Sequence, residues 1–110
     1  MPFYLMRFSY TPEAWARLIK KPEDRRDVAR GVVEKLGGKL HGFWYAFGEH
    51  DGLVLIEAPN NGAAAAFSIG ISAGGSIRGA EMTVLLTVEE TIESLKKAQG
   101  LPYRPPGAGS

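Results

Sequence analysis

The sequence predicts an α+β domain with strands and helices in the order βαββαβ, followed by an extra C-terminal helix. Three observations carry that expectation. Residues 3 to 10 alternate with the period of a strand. Two apolar runs, 39 to 47 and 53 to 58, are separated only by Gly48-Glu49-His50-Asp51-Gly52. Helix start and stop signals bracket the segments between the strands.

In the first strand Tyr4, Met6, Phe8 and Tyr10 point one way, and Phe3, Leu5, Arg7 and Ser9 the other. Thr11-Pro12-Glu13 then opens a helix, with Thr11 as N-cap and Pro12 at the first helical position. Trp15, Leu18 and Ile19 share one face of it. Pro22 interrupts this helix, and the run "KKPEDRRD" restarts it with Glu23 and Asp24 in the new first turn. Val28, Val32, Val33 and Leu36 continue the apolar stripe until Gly37-Gly38 stops it.

Residues 39 to 47 read as the second strand, with Lys39, His41, Phe43, Tyr45 and Phe47 on one face. Residues 53 to 58 are almost continuously apolar, the pattern of a strand buried on both sides. The short connection makes these two strands an antiparallel hairpin. Asn60 and Asn61 can cap a helix over "GAAAAFSIGISAGG", which Gly74-Gly75 ends. Residues 80 to 88 give the fourth strand, with Met82, Val84 and Leu86 on one face. Thr87 with Glu90 forms a capping box for a last helix carrying Ile92 and Leu95, which stops at Gly100.

That order is the split βαβ, or ferredoxin-like, arrangement. Helices cover one face of such a sheet. Large apolar residues on both sides of several strands require a cover for the other face. A second copy, related by a two-fold axis with sheets face to face, is the simplest one. Residues 1 to 98 are expected to form one domain and the Pro- and Gly-rich residues 99 to 110 a flexible tail.

Composition narrows the function classes. The 110 residues carry a formal net charge of +1, so nothing global favours nucleic acid or membrane as a partner. There is no cysteine, which removes disulfides, thiol chemistry and thiolate metal sites. The N-terminus lacks the pattern of a signal peptide and no stretch is apolar enough to span a bilayer, so a cytoplasmic location is expected. "GGSIRGA" lacks the phosphate-loop Lys-Ser/Thr ending, and no Gly-x-Ser-x-Gly elbow occurs.

Most of the chain before the tail resembles the GYD-domain family. The segments that carry the resemblance are "KPEDR" at 21 to 25, "KLGGKLHGFWYAFGEHDGLVLIEAP" at 35 to 59 and "TVLLTVEE" at 83 to 90. The family's motif appears as Gly48-Glu49-His50-Asp51, with His50 where Tyr is usual. The resemblance implies a dimeric α+β barrel and a homo-oligomer, and it implies no reaction.

Six residues are candidates for a site. His50 and Asp51 either shape the hairpin turn or line a pocket mouth, with Asp51 orienting the imidazole as a base. His41 is either a packed strand histidine or a proton shuttle beside the aromatic rings. Arg7 either pairs with Glu57 or Glu81, or grips an anionic substrate with its planar fork. Trp44 and Tyr45, in an aromatic group with Phe43, Phe47, Tyr4 and Trp15, either build core or wall an apolar pocket between sheet and helices. The two histidines show no metal-ligand spacing, so neither a metal nor a cofactor is expected.

Two functions fit. The first is a homo-oligomeric domain that binds a small apolar or anionic molecule, or serves as a scaffold. The second is a cofactor-independent oxygenase or isomerase acting on an aromatic or enolisable substrate, with His41 or His50 as base and Arg7 or Tyr45 steadying the anion. The second rests on analogy with other dimeric α+β barrels. RNA binding fails, because the aromatic-basic motif of RNA-binding sheets is absent and dimerisation covers the sheet.

Overall fold

Tyr4, Met6 and Phe8 are almost fully buried, and they mark the side of the sheet on which the core sits. In the computed structural model, which describes residues 1–107, they belong to β1 (Phe3–Tyr10). The chain continues through α1 (Pro12–Lys20), α2 (Arg26–Lys35), β2 (Lys39–Tyr45), β3 (Gly52–Glu57), α3 (Asn61–Ala73), β4 (Ile77–Leu85) and α4 (Val88–Ala98). The strands form one antiparallel sheet in the order β2-β3-β1-β4, the ferredoxin-like topology.

The helix ends form for the reasons the sequence suggests. The Thr11 hydroxyl accepts from Ala14 N, the Asn60 side chain from Ala63 N, and Thr87 and Glu90 make a reciprocal capping box. At the end of α2, Gly37 N donates to Glu34 O and Gly38 N to Val33 O, with Gly37 at φ 85°. This is the left-handed stop that favours glycine.

Under the helices, Val33 from α2, Ile56 and Val54 from β3 and Phe67 from α3 close over the β1 row. Each fully buried side chain of this size contributes about 1.5–3 kcal/mol. Their number makes this layer the main source of stability.

Several expectations shift. Glu23 and Asp24 lie ahead of α2 rather than in its first turn. The Asp24 carboxylate accepts from Arg26 N and so caps the turn from outside. On α1 the buried position is Ala14, while Ile19 faces solvent and Trp15 is half exposed. A short amphipathic helix held at one end of the sheet buries a narrower stripe than its apolar residues span. β2 ends at Tyr45, because Phe47 projects fully into solvent from the hairpin loop. β4 starts at Ile77 and ends at Leu85, so Leu86 lies outside it.

The largest revision is a β-bulge. Leu40 pairs with Ile56 and Gly42 with Leu55, leaving His41 as the extra residue. The bulge inverts the side-chain phase. Phe43 and Tyr45 turn toward the helices, while His41 and Trp44 turn to the outer face. The expected common face of His41, Phe43 and Tyr45 does not exist.

On that outer face Leu53 and Leu55 of β3 are half-buried, so β3 is covered fully on one side only. Phe3, Leu5 and Leu85 lie beside them, also half-buried. The radius of gyration is 18.3 Å and the long axis 65 Å, against about 13 Å for the radius of a compact chain of this length. α4 buries none of its residues and exposes Val88, Ile92 and Leu95, and the exposed residues 99 to 107 follow it, both of which extend the chain beyond the compact layer. Residues 99 to 107 have no regular helix or strand and are exposed; the rest of the expected tail, 108 to 110, lies outside the described residues.

Candidate functional site

Between the inner face of the sheet and helices α2 and α3 lies a cavity of about 280 Å³, open at one side. Its floor is Met6, Phe8, Phe43 and Val54, and its walls include Val32 and Ile71. The space exists because α3 offers Gly70 there, its C-cap is Gly74 and α2 offers Ala29, where larger residues would have closed the layer. A few polar groups edge an otherwise apolar lining: Tyr10, Ser76 and Arg25, the last being the one charged residue there among the described residues. That composition is typical of small-molecule sites.

The Tyr10 hydroxyl lies 3.2 Å from that of Tyr45, and Arg25 is close by. Burial first, and then the hydrogen bond to Tyr45, push the Tyr10 phenol well above its ordinary value. It therefore remains a neutral hydrogen-bond donor at physiological pH. Its ring stands edge-on to Trp15, with centroids 5.1 Å apart, and Tyr45 tilts against both rings.

Asp51 anchors the neighbouring corner. Its Oδ2 accepts from Tyr10 N at 2.9 Å and from Trp15 Nε1 at 3.2 Å, while its own N donates to Phe8 O at 2.8 Å. The β1–β3 ladder ends at Phe8 and Gly52. Asp51 prolongs it by one more pair, using its side chain in place of a strand carbonyl. The expected pairing of Asp51 with His50 is not made, because that carboxylate is already committed to Tyr10 and Trp15. His50 Nε2 instead lies 3.8 Å from Glu81 Oε2.

His41 sits on the outer face, with Nε2 2.6 Å from Glu57 Oε1 and its ring 5.2 Å from that of Phe3. Glu57 is thus taken by His41 and not by Arg7. Arg7 Nη1 donates to Thr83 Oγ1 at 3.0 Å, and neither Glu57 nor Glu81 lies within ion-pair distance of it among the described residues. The Trp44 ring covers Gly42, where a Cβ would collide with it. Of the six candidates, then, Tyr45 touches a rim group of the cavity through Tyr10. His41, Trp44 and Arg7 occupy the outer face, and His50 and Asp51 the hairpin end. Among the described residues, no group of three or more His, Asp or Glu side chains is placed to hold a metal ion, and no helix is long and apolar enough to cross a membrane.

The family model described as the GYD domain matches residues 4–95. The chain belongs to the GYD-domain family. In this GYD domain the Gly48–Asp51 motif is the loop whose aspartate ties the hairpin to β1 and α1. The crystal structure of FFRP-DM1 aligns with a TM-score of 0.50 at 14% identity, covering 78% of this chain and 100% of that one. A NIPSNAP domain protein from Burkholderia xenovorans aligns at 0.49, with 13% identity over 79% of this chain and 94% of its own. A hypothetical protein from Pyrococcus horikoshii aligns at 0.47, with 13% identity over 79% and 92%. At such identities the likeness concerns the fold alone. No curated protein matches the sequence.

Arg25 is the charged site residue that the sequence did not disclose, and Tyr10 and Ser76 at the same rim were not among its six candidates either. Arg25 stands in "KKPEDRRD", whose mixed signs read as a solvated face. The nearest signal was Pro22, which separates α1 from α2 and leaves Arg25 at the N-cap of α2.

Proposed function

We propose that this GYD domain binds a small apolar molecule in the cavity between the sheet and α2 and α3, and does so as a homo-oligomer. The observation that carries the first part is the cavity itself, apolar within and polar only at its rim. A neutral fluorescent probe, N-phenylnaphthylamine, tests it. The wild-type chain is expected to bind the probe saturably. Ala29→Leu grows into the cavity from α2 and is expected to weaken binding about tenfold or more, a change worth roughly 1.4 kcal/mol. Equal binding by the two proteins would remove the cavity from the reading.

Self-association is supported by the half-buried apolar residues of the outer face and by the apolar stripe of α4. Light scattering at micromolar concentration is expected to give a dimer or larger. Leu55→Glu, at the centre of the outer face opposite Leu5, is expected to yield a folded monomer. A wild-type chain that is already monomeric contradicts the assembly.

A second reading, a cofactor-independent oxygenase or isomerase, is supported by the short His41–Glu57 contact, in which the carboxylate orients the imidazole. Here His41 is the base, and Arg7, on the same outer face, steadies an anion. His50, Asp51, Trp44 and Tyr45 have no step in it. His41→Ala separates the readings, since it spares probe binding in the cavity and abolishes any turnover of an enolisable substrate.

A further inference from the structure

We propose that the ligand of the cavity carries a single carboxylate and that Arg25 holds it at the mouth; this rests on the cavity reading above. Three recesses meet at this residue. Among the described residues Arg25 is the one charged group lining the apolar cavity. It also lines a recess with Arg17, Lys21, Glu23, Tyr10 and Ser76, and another with Glu23, Asp24, Arg26, Phe43 and Tyr45. Tyr10, Ser76 and Arg25 are common to the cavity and the first recess, so the two spaces adjoin.

The neighbouring charges are unequally committed. Arg26 and Asp24 form a closed two-point pair, with Nε at 3.1 Å from Oδ1 and Nη2 at 2.7 Å from Oδ2. Among the described residues Arg25 makes one ion pair, from Nη1 to Glu23 Oε1 at 2.8 Å, beside its contact with the Tyr10 hydroxyl, and the Glu23 side chain is 51% exposed. A guanidinium offers five donors in a planar fork that matches a carboxylate at two points. The exposed Glu23 uses one of those donors, so an incoming carboxylate gains the second point as it displaces Glu23.

The surroundings favour that exchange. In the first recess three cations, Arg17, Lys21 and Arg25, face the single carboxylate of Glu23. The Tyr10 hydroxyl, buried and neutral, stands beside Arg25 as a further donor. The body of the ligand then lies along Met6, Phe8, Phe43 and Val54, shielded from water. A 280 Å³ space suits a compact body such as a bicyclic aromatic acid.

The test uses naphthylacetate and its neutral amide, naphthylacetamide, on the full chain by calorimetry. The acid is expected to bind about tenfold tighter than the amide, the scale of one charge-assisted contact. Arg25→Gln should erase that preference by weakening the acid alone. Glu23→Gln, which removes the competing carboxylate, should tighten the acid and leave the amide unchanged. Retention of the acid preference in Arg25→Gln, or equal binding of acid and amide by wild type, overturns the carboxylate assignment. In either case N-phenylnaphthylamine binding would keep the cavity reading intact. Absence of binding by all three compounds overturns both. Thermal melts of the variants separate loss of binding from loss of fold.

Discussion

Asp51→Ala is expected to lower the unfolding free energy by about 2–4 kcal/mol in urea denaturation, reflecting the loss of two charge-assisted hydrogen bonds. One oxygen, Oδ2, takes both Tyr10 N and Trp15 Nε1. The Tyr10 amide lies beyond the last β1–β3 pair. Without Asp51 it loses an acceptor in a partly buried corner, and such a donor is costly to leave unpaired. Asp51→Asn keeps an oxygen in place and removes the charge, so its effect should be roughly half as large. Loss of the indole bond should also shift the Trp15 fluorescence. A change in stability below about 0.5 kcal/mol, the usual scale of an ordinary surface substitution, would show that the loop holds its position without this carboxylate.

Gly38→Ala is expected to cost a similar amount, about 2–4 kcal/mol, through overpacking against backbone. A Cβ at Gly38 would collide with the Glu57 carbonyl oxygen. It would also stand 3.0 Å from Val33 Cγ2 and 3.3 Å from Ala58 Cα. These atoms belong to the end of β3 and the buried face of α2, so relief requires the α2–β2 turn to lift away from the sheet. Gly31→Ala supplies the contrast. Nothing lies within 4 Å of a Cβ there and the residue sits inside α2, so the better helix propensity of alanine should stabilise the chain by up to about 1 kcal/mol. Chemical denaturation of the pair checks both signs. Equal behaviour of the two variants would mean that the close approach at Gly38 is relieved by small shifts.

The two variants probe different joints of the same scaffold. Asp51 secures the hairpin end to β1 and α1, beside the Tyr10 rim of the cavity. Gly38 sets how closely α2 approaches the sheet, and α2 supplies Val28, Ala29 and Val32 to the cavity wall. Loss of either joint should therefore reach ligand binding as well as stability.

How much of this was legible depends on the range of the interaction. The alternation of Tyr4, Met6, Phe8 and Tyr10, the caps at Thr11, Asn60 and Thr87, and the Gly37 stop are local. Each needs only neighbouring backbone, and each appears where the residues indicate. The element order follows from them, and with it the ferredoxin-like topology.

The face of β2 was not legible. Inserting His41 between Leu40 and Gly42 costs no residue type that a strand would refuse, yet it inverts every later position. The misreading of His41 with Phe43 and Tyr45 follows from that single step. The partner of Asp51 was likewise hidden, since Tyr10 and Trp15 lie 41 and 36 residues away in the chain. Arg25 was hidden because a charge in a mixed-sign run carries no mark of which way it faces.

By itself, then, the sequence determined the strands, the helices, the caps at Thr11, Asn60 and Thr87 and the element order, because those depend on contacts a few residues apart. Only the tertiary structure decided which side chains meet: His41 with Glu57, Asp51 with Tyr10 and Trp15, and Arg25 with an apolar cavity. Those meetings depend on register and on the approach of α2 and α3 to the sheet, which arise from packing between segments distant in the chain.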